Sequence, residues 1–112
     1  MPTLFEKILA GEVPADIIHK DDLSFAIRDN NPQAPVHILV IPRQPLPRLG
    51  EASPSDKELL GHLLLVARQL AASENLAEGF RIVINNGPDG GESIPHLHVH
   101  LLGGRQLSWP PG

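Results

Sequence analysis

The sequence predicts an α+β domain, an antiparallel sheet with helices packed against one of its faces. Three observations lead there. The candidate elements run helix, strand, strand, strand, helix, strand, strand, without the regular strand–helix alternation of a parallel sheet. One segment, Ser55 to Leu76, repeats apolar residues at spacings of three and four. Another, His96 to Leu102, alternates histidine with aliphatic residues, the period of two that belongs to a strand.

Each element has its own local signal. Thr3 followed by Glu6 forms a capping box, with apolar Leu4, Phe5, Ile8 and Leu9 behind it and Gly11 as a stop, which predicts a short opening helix. Ile17 and Ile18, the turn-like Lys20-Asp21-Asp22, and alternating Leu23 to Ile27 predict a β-hairpin. Asn30-Asn31-Pro32 breaks the chain, and Val36 to Ile41 reads as a buried strand bounded by Pro35 and Pro42. Pro42 to Pro54 is loop. Ser55 with Glu58 predicts a second capping box, opening an amphipathic helix of about 18 residues that ends near Leu76. Phe80 to Ile84 is a strand, Asn85 to Ser93 a glycine-rich loop, and Leu97 to Leu102 the last strand before Gly103-Gly104.

Composition narrows the function classes. A length of 112 residues suits one domain, 1–112, with a modest core. A net charge of −4 and a sequence pI near 5.8 argue against a basic nucleic-acid binder. The absence of cysteine excludes disulfides, zinc ribbons and thiolate catalysis. No apolar run approaches the roughly 18 residues of a membrane span. Glu6 and Lys7 interrupt the N-terminal apolar stretch and spoil it as a secretory signal, so the expectation is a cytoplasmic domain. The twelve prolines are scattered among apolar segments and punctuate short elements.

Chemistry concentrates in the last third. On a strand, His96, His98 and His100 share one face while Leu97, Val99 and Leu101 point into the core. Before them, Asn85-Asn86-Gly87-Pro88-Asp89-Gly90-Gly91-Glu92-Ser93 offers glycine backbone that can expose convergent N–H groups to an anion. Imidazoles beside such a loop suggest handling of a phosphate. The residues alone leave three readings open. Neutral imidazole is a nucleophile able to carry a phosphoryl or nucleotidyl group, with a neighbouring imidazole stabilising charge or protonating a leaving group. A metal site could draw His37 into the cluster. Structural histidines on a solvent face are the third.

His96-Leu97-His98-Val99-His100-Leu101-Leu102 resembles the signature of the histidine triad superfamily, three histidines separated by hydrophobic residues. Further segments look like its Hint branch: Thr3 to Ile8, Asp29 to Pro42, Ser93 to His100, Leu102 to Gln106, and Trp109-Pro110-Pro111-Gly112. The resemblance thus spans nearly the whole chain in order. It implies a homodimer of a mixed domain with a five-stranded antiparallel sheet that binds purine nucleotides such as AMP and GMP. The implied activity is hydrolysis of nucleoside phosphoramidates, such as adenosine 5′-monophosphoramidate and aminoacyl-adenylate adducts, without metal or cofactor. A sister branch with the same triad hydrolyses dinucleoside polyphosphates, and a nucleotide-binding module with incidental activity is a further alternative.

Residue by residue, the resemblance implies that His98 is the nucleophile. It implies that His96 and His100 contact the phosphate and orient His98, and that His37 completes a proton network. Asn85 and Ser93 match phosphate and leaving-group contacts. Asp29 matches a carboxylate that receives the ribose hydroxyls, and Phe5, Ile8 and Ile27 match apolar positions around the base. Outside these matches, His19 and His62 read as surface residues and Arg105 as a solvated loop cation. Trp109 is expected to pack on its own domain or on a partner subunit. Three features depart from the pattern: Pro95 directly before the triad, Glu92 where glutamine is frequent, and Gln44-Pro45 where some relatives carry another histidine.

Overall fold

A computed structural model describes residues 1–112. The N-terminal helix α1 (Leu4–Leu9) is followed by β1 (Ile17–Lys20), β2 (Ser24–Arg28) and β3 (Val36–Pro42), then by the long helix α2 (Lys57–Ser73), β4 (Phe80–Val83) and β5 (Val99–Gly103). The five strands form one sheet in the order β1-β2-β3-β5-β4, every neighbouring pair antiparallel. Single 3-10 turns occur at Leu49–Glu51, Pro54–Asp56 and Pro88–Gly90.

The two helices cover opposite faces of the sheet, not one face as the sequence suggested. Successive strand residues point to opposite sides. Ala26, Ile38, Val40, Val99 and Leu101 therefore meet Leu63, Val66, Ala67, Leu70 and Ala71 of α2 on one side. Phe25, Ile27, Leu39 and Ile41 meet Phe5 and Ile8 of α1 on the other. A helix of 17 residues covers its side of the sheet, whereas the six-residue α1 cannot. The uncovered part of that second face is where His37 and His100 lie.

Both helix starts reflect their sequence, one with a shift. At α1 the capping box forms as expected: the Glu6 amide donates to Thr3 Oγ1 at 3.2 Å and the Thr3 amide to Glu6 Oε1 at 2.9 Å. At α2 the box is displaced from Ser55–Glu58, since a 3-10 turn precedes the helix and the Ser53 amide donates to Asp56 Oδ2 at 2.9 Å. The helix also stops at Ser73, short of Leu76, because Asn75 adopts a left-handed φ of 60° and turns the chain.

β5 begins at Val99, two residues later than the alternation suggests. The ladder with β3 ends at the Val40–Val99 pair, and the Leu97 amide donates to the Leu46 carbonyl at 2.7 Å. Pro95 has no N–H, and the His96 amide closes a tight turn onto the Ile94 carbonyl at 2.8 Å. Of the three triad histidines only His100 belongs to the sheet. The segment before it stays extended, so Leu97, Val99 and Leu101 still enter the α2 core.

Burial of the α2 stripe predicts that Leu63→Ala, at a residue 1% exposed, costs about 2–5 kcal/mol of unfolding free energy. Urea denaturation followed by circular dichroism checks this, and a loss below about 1 kcal/mol would contradict the packing described.

Candidate active site

The hydrogen bonds around each imidazole determine where its proton sits. His96 is fully buried, and its Nε2 lies 2.8 Å from the Pro42 carbonyl, which can only accept. Nε2 therefore carries the proton, and Nδ1 accepts from the Thr3 hydroxyl at 2.6 Å. Burial holds His96 below the ordinary histidine pKa, with the charge of His98 acting the same way and the Pro42 carbonyl and Glu6 opposing. Both ring nitrogens are occupied. His96 therefore has no free ring nitrogen to offer a phosphate.

Its backbone contributes instead. The His96 carbonyl lies 2.8 Å from His98 Nδ1, so Nδ1 donates, and in the neutral ring the lone pair falls on Nε2. The Phe5 ring packs edge-on against His98 with centroids 5.0 Å apart. A second relay starts from β3. The Gln33 amide donates to His37 Nδ1 at 3.1 Å, which leaves the His37 proton on Nε2 and directs it to His100 Nδ1 at 2.9 Å. His100 therefore keeps its own proton on Nε2. Asp29 Oδ2 stands 3.5 Å from His37 Nε2.

Burial pushes His37 below its usual pKa against the pull of Asp29. His100 is lowered to about 4, first by burial, then by the charges of His98 and His37. At neutral pH the pair is uncharged, which agrees with the hydrogen-bond pattern.

A cavity of about 240 Å³ opens beside these rings. Phe5, Ile8, Ile27, Val13 and Leu39 line its apolar side, and Asp29, Asn30, Ser93, His98 and His100 its polar side. The fold thus brings together seven of the expected site residues: Phe5, Ile8, Ile27, Asp29, Ser93, His98 and His100. His37 stands behind His100. Asn85 does not line the cavity, and its side-chain amide donates to the Gly90 carbonyl at 2.6 Å, closing the loop.

The glycine-rich loop does not offer the open set of amides expected from its composition. Gly90, Gly91 and Glu92 donate to carbonyls of the same loop. The Gly87 amide donates to Glu92 Oε1 at 2.9 Å, so the anion in the loop is the chain's own carboxylate. Arg48 grips that carboxylate with two bonds, Nε to Oε1 at 2.8 Å and Nη2 to Oε2 at 3.0 Å. The same guanidinium also pairs with Glu51, so one cation is shared by two carboxylates, and the Gly50 amide adds a 2.6 Å bond to Asn86 Oδ1. Loop 43–51 is clasped to loop 85–93.

The remaining expectations fare differently. His19 and His62 are half-buried, not surface residues; both approach Asp21 Oδ2, at 2.7 and 3.0 Å, in the β1–β2 turn. Arg105 is exposed and donates to the carbonyls of Gln33 at 2.9 Å and Gln106 at 3.1 Å. Trp109 is 82% exposed and does not pack on its own domain. The supporting groups Thr3, Gln33, Arg48 and the carbonyls of Pro42 and His96 escaped sequence reasoning; only Thr3 carried a signal, and that signal was for a helix cap.

A HIT domain matches residues 10–107, and the chain belongs to the HIT family. An uncharacterized HIT-like protein of Synechococcus elongatus is 60% identical over 110 residues, 98% of this chain and 96% of that protein. The Arabidopsis thaliana adenylylsulfatase HINT1 is 52% identical over 113 residues, covering 99% of this chain and 77% of the relative. The crystal structure of a HIT family hydrolase from Legionella pneumophila superposes with a TM-score of 0.96 at 44% identity, covering 99% of this chain and all of that one.

The clasp makes a pH prediction. Glu92 is lowered from its ordinary 4.5 to about 2, chiefly by the Arg48 hydrogen bond and then by the Gly87 amide. A depressed carboxylate stabilises the fold fully above its unfolded pKa and loses that contribution as pH falls through the folded value. Wild type should therefore exceed Glu92→Gln in urea midpoint above pH 5, with the gap closing between pH 4.5 and 2. A gap independent of pH would contradict the ion pair.

Proposed function

We propose that this chain hydrolyses purine nucleoside phosphoramidates to the nucleoside monophosphate through a nucleotidyl-histidine at His98. The observation that supports the reading is that His98 Nδ1 is committed to the His96 carbonyl, leaving Nε2 without a hydrogen bond beside a cavity that His98 and His100 both line. Nε2 attacks the α-phosphorus, the P–N bond breaks, and the amine departs with a proton taken from the site or from water. The new imidazolium keeps its Nδ1–H bond to the His96 carbonyl, which stabilises the positive ring. His100 Nε2–H then donates to a phosphoryl oxygen. Water then attacks phosphorus, the P–N bond to His98 breaks, and the nucleotide leaves with the ring restored.

The remaining residues fit parts of a nucleotide. Asp29 supplies an acceptor-only group of the kind a ribose diol satisfies. Phe5, Ile8 and Ile27 supply the apolar walls that a purine, adenine or guanine, requires. Ser93, at the exposed polar side, is assigned to the leaving group, and Asn85 acts by closing the loop ahead of it. This chemistry asks for no cofactor. Of the histidines, His96 has both ring nitrogens engaged, whereas Asp29, His37 and His100 bring ligand atoms within 4.8 Å of one another, where a metal ion would compete with the His37–His100 hydrogen bond.

A second reading differs only in leaving group. Because the Arabidopsis relative is named an adenylylsulfatase, adenylyl sulfate is a candidate substrate, with sulfate leaving from the same α-phosphorus without needing a proton. Dinucleoside polyphosphates are the third comparison. AMP release from adenosine 5′-monophosphoramidate, adenylyl sulfate and a dinucleoside polyphosphate, each with EDTA, separates the three. Turnover of the phosphoramidate is expected to be fastest and to fall by at least about 10⁴-fold in His98→Ala. Tight AMP binding with no turnover of any substrate would favour a binding module instead.

The same reading takes residues 1–112 as one domain that acts as a cytoplasmic homodimer without nucleic acid or membrane partners. Exposed Leu64, Leu65, Phe80 and Trp109, with β4 at the sheet edge, support a self-association surface. No helix is long and apolar enough to cross a membrane. Light scattering should give a mass about twice 12.1 kDa, and the single-chain mass would remove the dimer.

A further inference from the structure

Thr3 stands where two parts of the molecule meet. It is the N-cap of α1, and its hydroxyl lies 2.6 Å from Nδ1 of His96, 93 positions away in the chain. A threonine hydroxyl has one proton and two lone pairs. The oxygen accepts the Glu6 amide at 3.2 Å, which leaves the proton for His96. Nε2 of His96 already donates to the Pro42 carbonyl at 2.8 Å, so Nδ1 has only a lone pair to offer. The ring is neutral, in one tautomer, and gripped at both nitrogens. The peptide that carries it presents the carbonyl that receives His98 Nδ1–H.

We propose that Thr3 is a positioning residue for the reaction at His98: its hydroxyl holds the buried His96 ring and, through the His96 carbonyl, sets the direction of His98 Nε2. This rests on His98 being the nucleophile. Without the hydroxyl, Nδ1 of His96 becomes a buried acceptor with no partner. The ring relieves this only by turning, which draws the Nε2–H donor away from the Pro42 carbonyl. That turn shifts the 96–97 peptide and with it the bond that orients His98. Thr3 touches no substrate; its influence on the reaction passes through His96.

The helix cap is a separate role, and the test separates it. Thr3→Val removes the hydroxyl at nearly constant volume, and Thr3→Ser restores it. Glu6→Ala removes the other half of the capping box while leaving the Thr3–His96 bond in place. With adenosine 5′-monophosphoramidate, Thr3→Val should lower kcat roughly tenfold to a hundredfold with KM within about twofold, the pattern of a misplaced reacting group. Thr3→Ser should recover kcat to within about threefold of wild type, and Glu6→Ala should remain in that range. In protein labelled with ¹⁵N-histidine, Thr3→Val should shift both the His96 Nδ1 and the His98 Nδ1–H resonances. Should Thr3→Val not fold, Thr3→Gly keeps most of the cap preference without the hydroxyl and should show the same losses.

An unchanged kcat in folded Thr3→Val would overturn the proposal. So would an equal fall in Thr3→Val and Glu6→Ala, or an unmoved His98 Nδ1–H resonance. If wild type turns over no substrate, the functional reading fails by itself. The resonances then decide the coupling: a joint shift of His96 and His98 supports it, and a shift confined to His96 overturns it.

Discussion

The bond from His98 Nδ1–H to the His96 carbonyl decides what the site can do. A backbone carbonyl has no proton to exchange, so it imposes one tautomer on the neutral His98 ring and leaves the lone pair on Nε2. Every other feature either holds that carbonyl still or prepares the space in front of Nε2. The Pro42 carbonyl and the Thr3 hydroxyl hold the His96 ring from two sides. The Leu97 amide, tied to the Leu46 carbonyl, holds the following residue, and Leu97 itself is anchored in the α2 core. The His98 ring thus takes its orientation from a backbone carbonyl, which has no rotamer to lose.

The unequal lengths of the helices make room for a substrate. Helix α2 seals its face of the sheet with an apolar stripe, while α1 ends after six residues and packs on Phe25, Ile27, Leu39 and Ile41 of the other face, short of His37 and His100. Between α1 and His100 the sheet is left with an apolar wall and a polar wall, each suited to one end of a nucleotide. The hydrogen bond between His37 and His100 leaves the remaining ring N–H of His100 without a protein partner beside the cavity.

Legibility in the sequence followed the range of the interactions involved. Alternation and helical periodicity are local, so the five strands, both helices and the burial of Leu97, Val99 and Leu101 could be read directly. The apolar positions Phe5, Ile8 and Ile27 were equally visible as core, and only the resemblance pointed to a pocket. Long-range partners were invisible. Nothing in Thr3 announces a contact with His96, and nothing in Arg48 announces Glu92. The glycine-rich loop misled because composition reports backbone freedom and not whether the amides are already spent, here on Glu92 and on carbonyls within the loop. Helix placement misled for a similar reason: element order does not say which face each helix takes.

The central claim is that His98 Nε2 becomes covalently bonded to phosphorus, and the most direct test is to trap that species. Enzyme mixed with adenosine 5′-monophosphoramidate, stopped within milliseconds in alkaline denaturant and weighed intact, should carry one adenylyl group per chain. Peptide mapping should place it on the segment containing His98. A chain that turns substrate over with no such adduct, or with the group on another residue, would contradict the account.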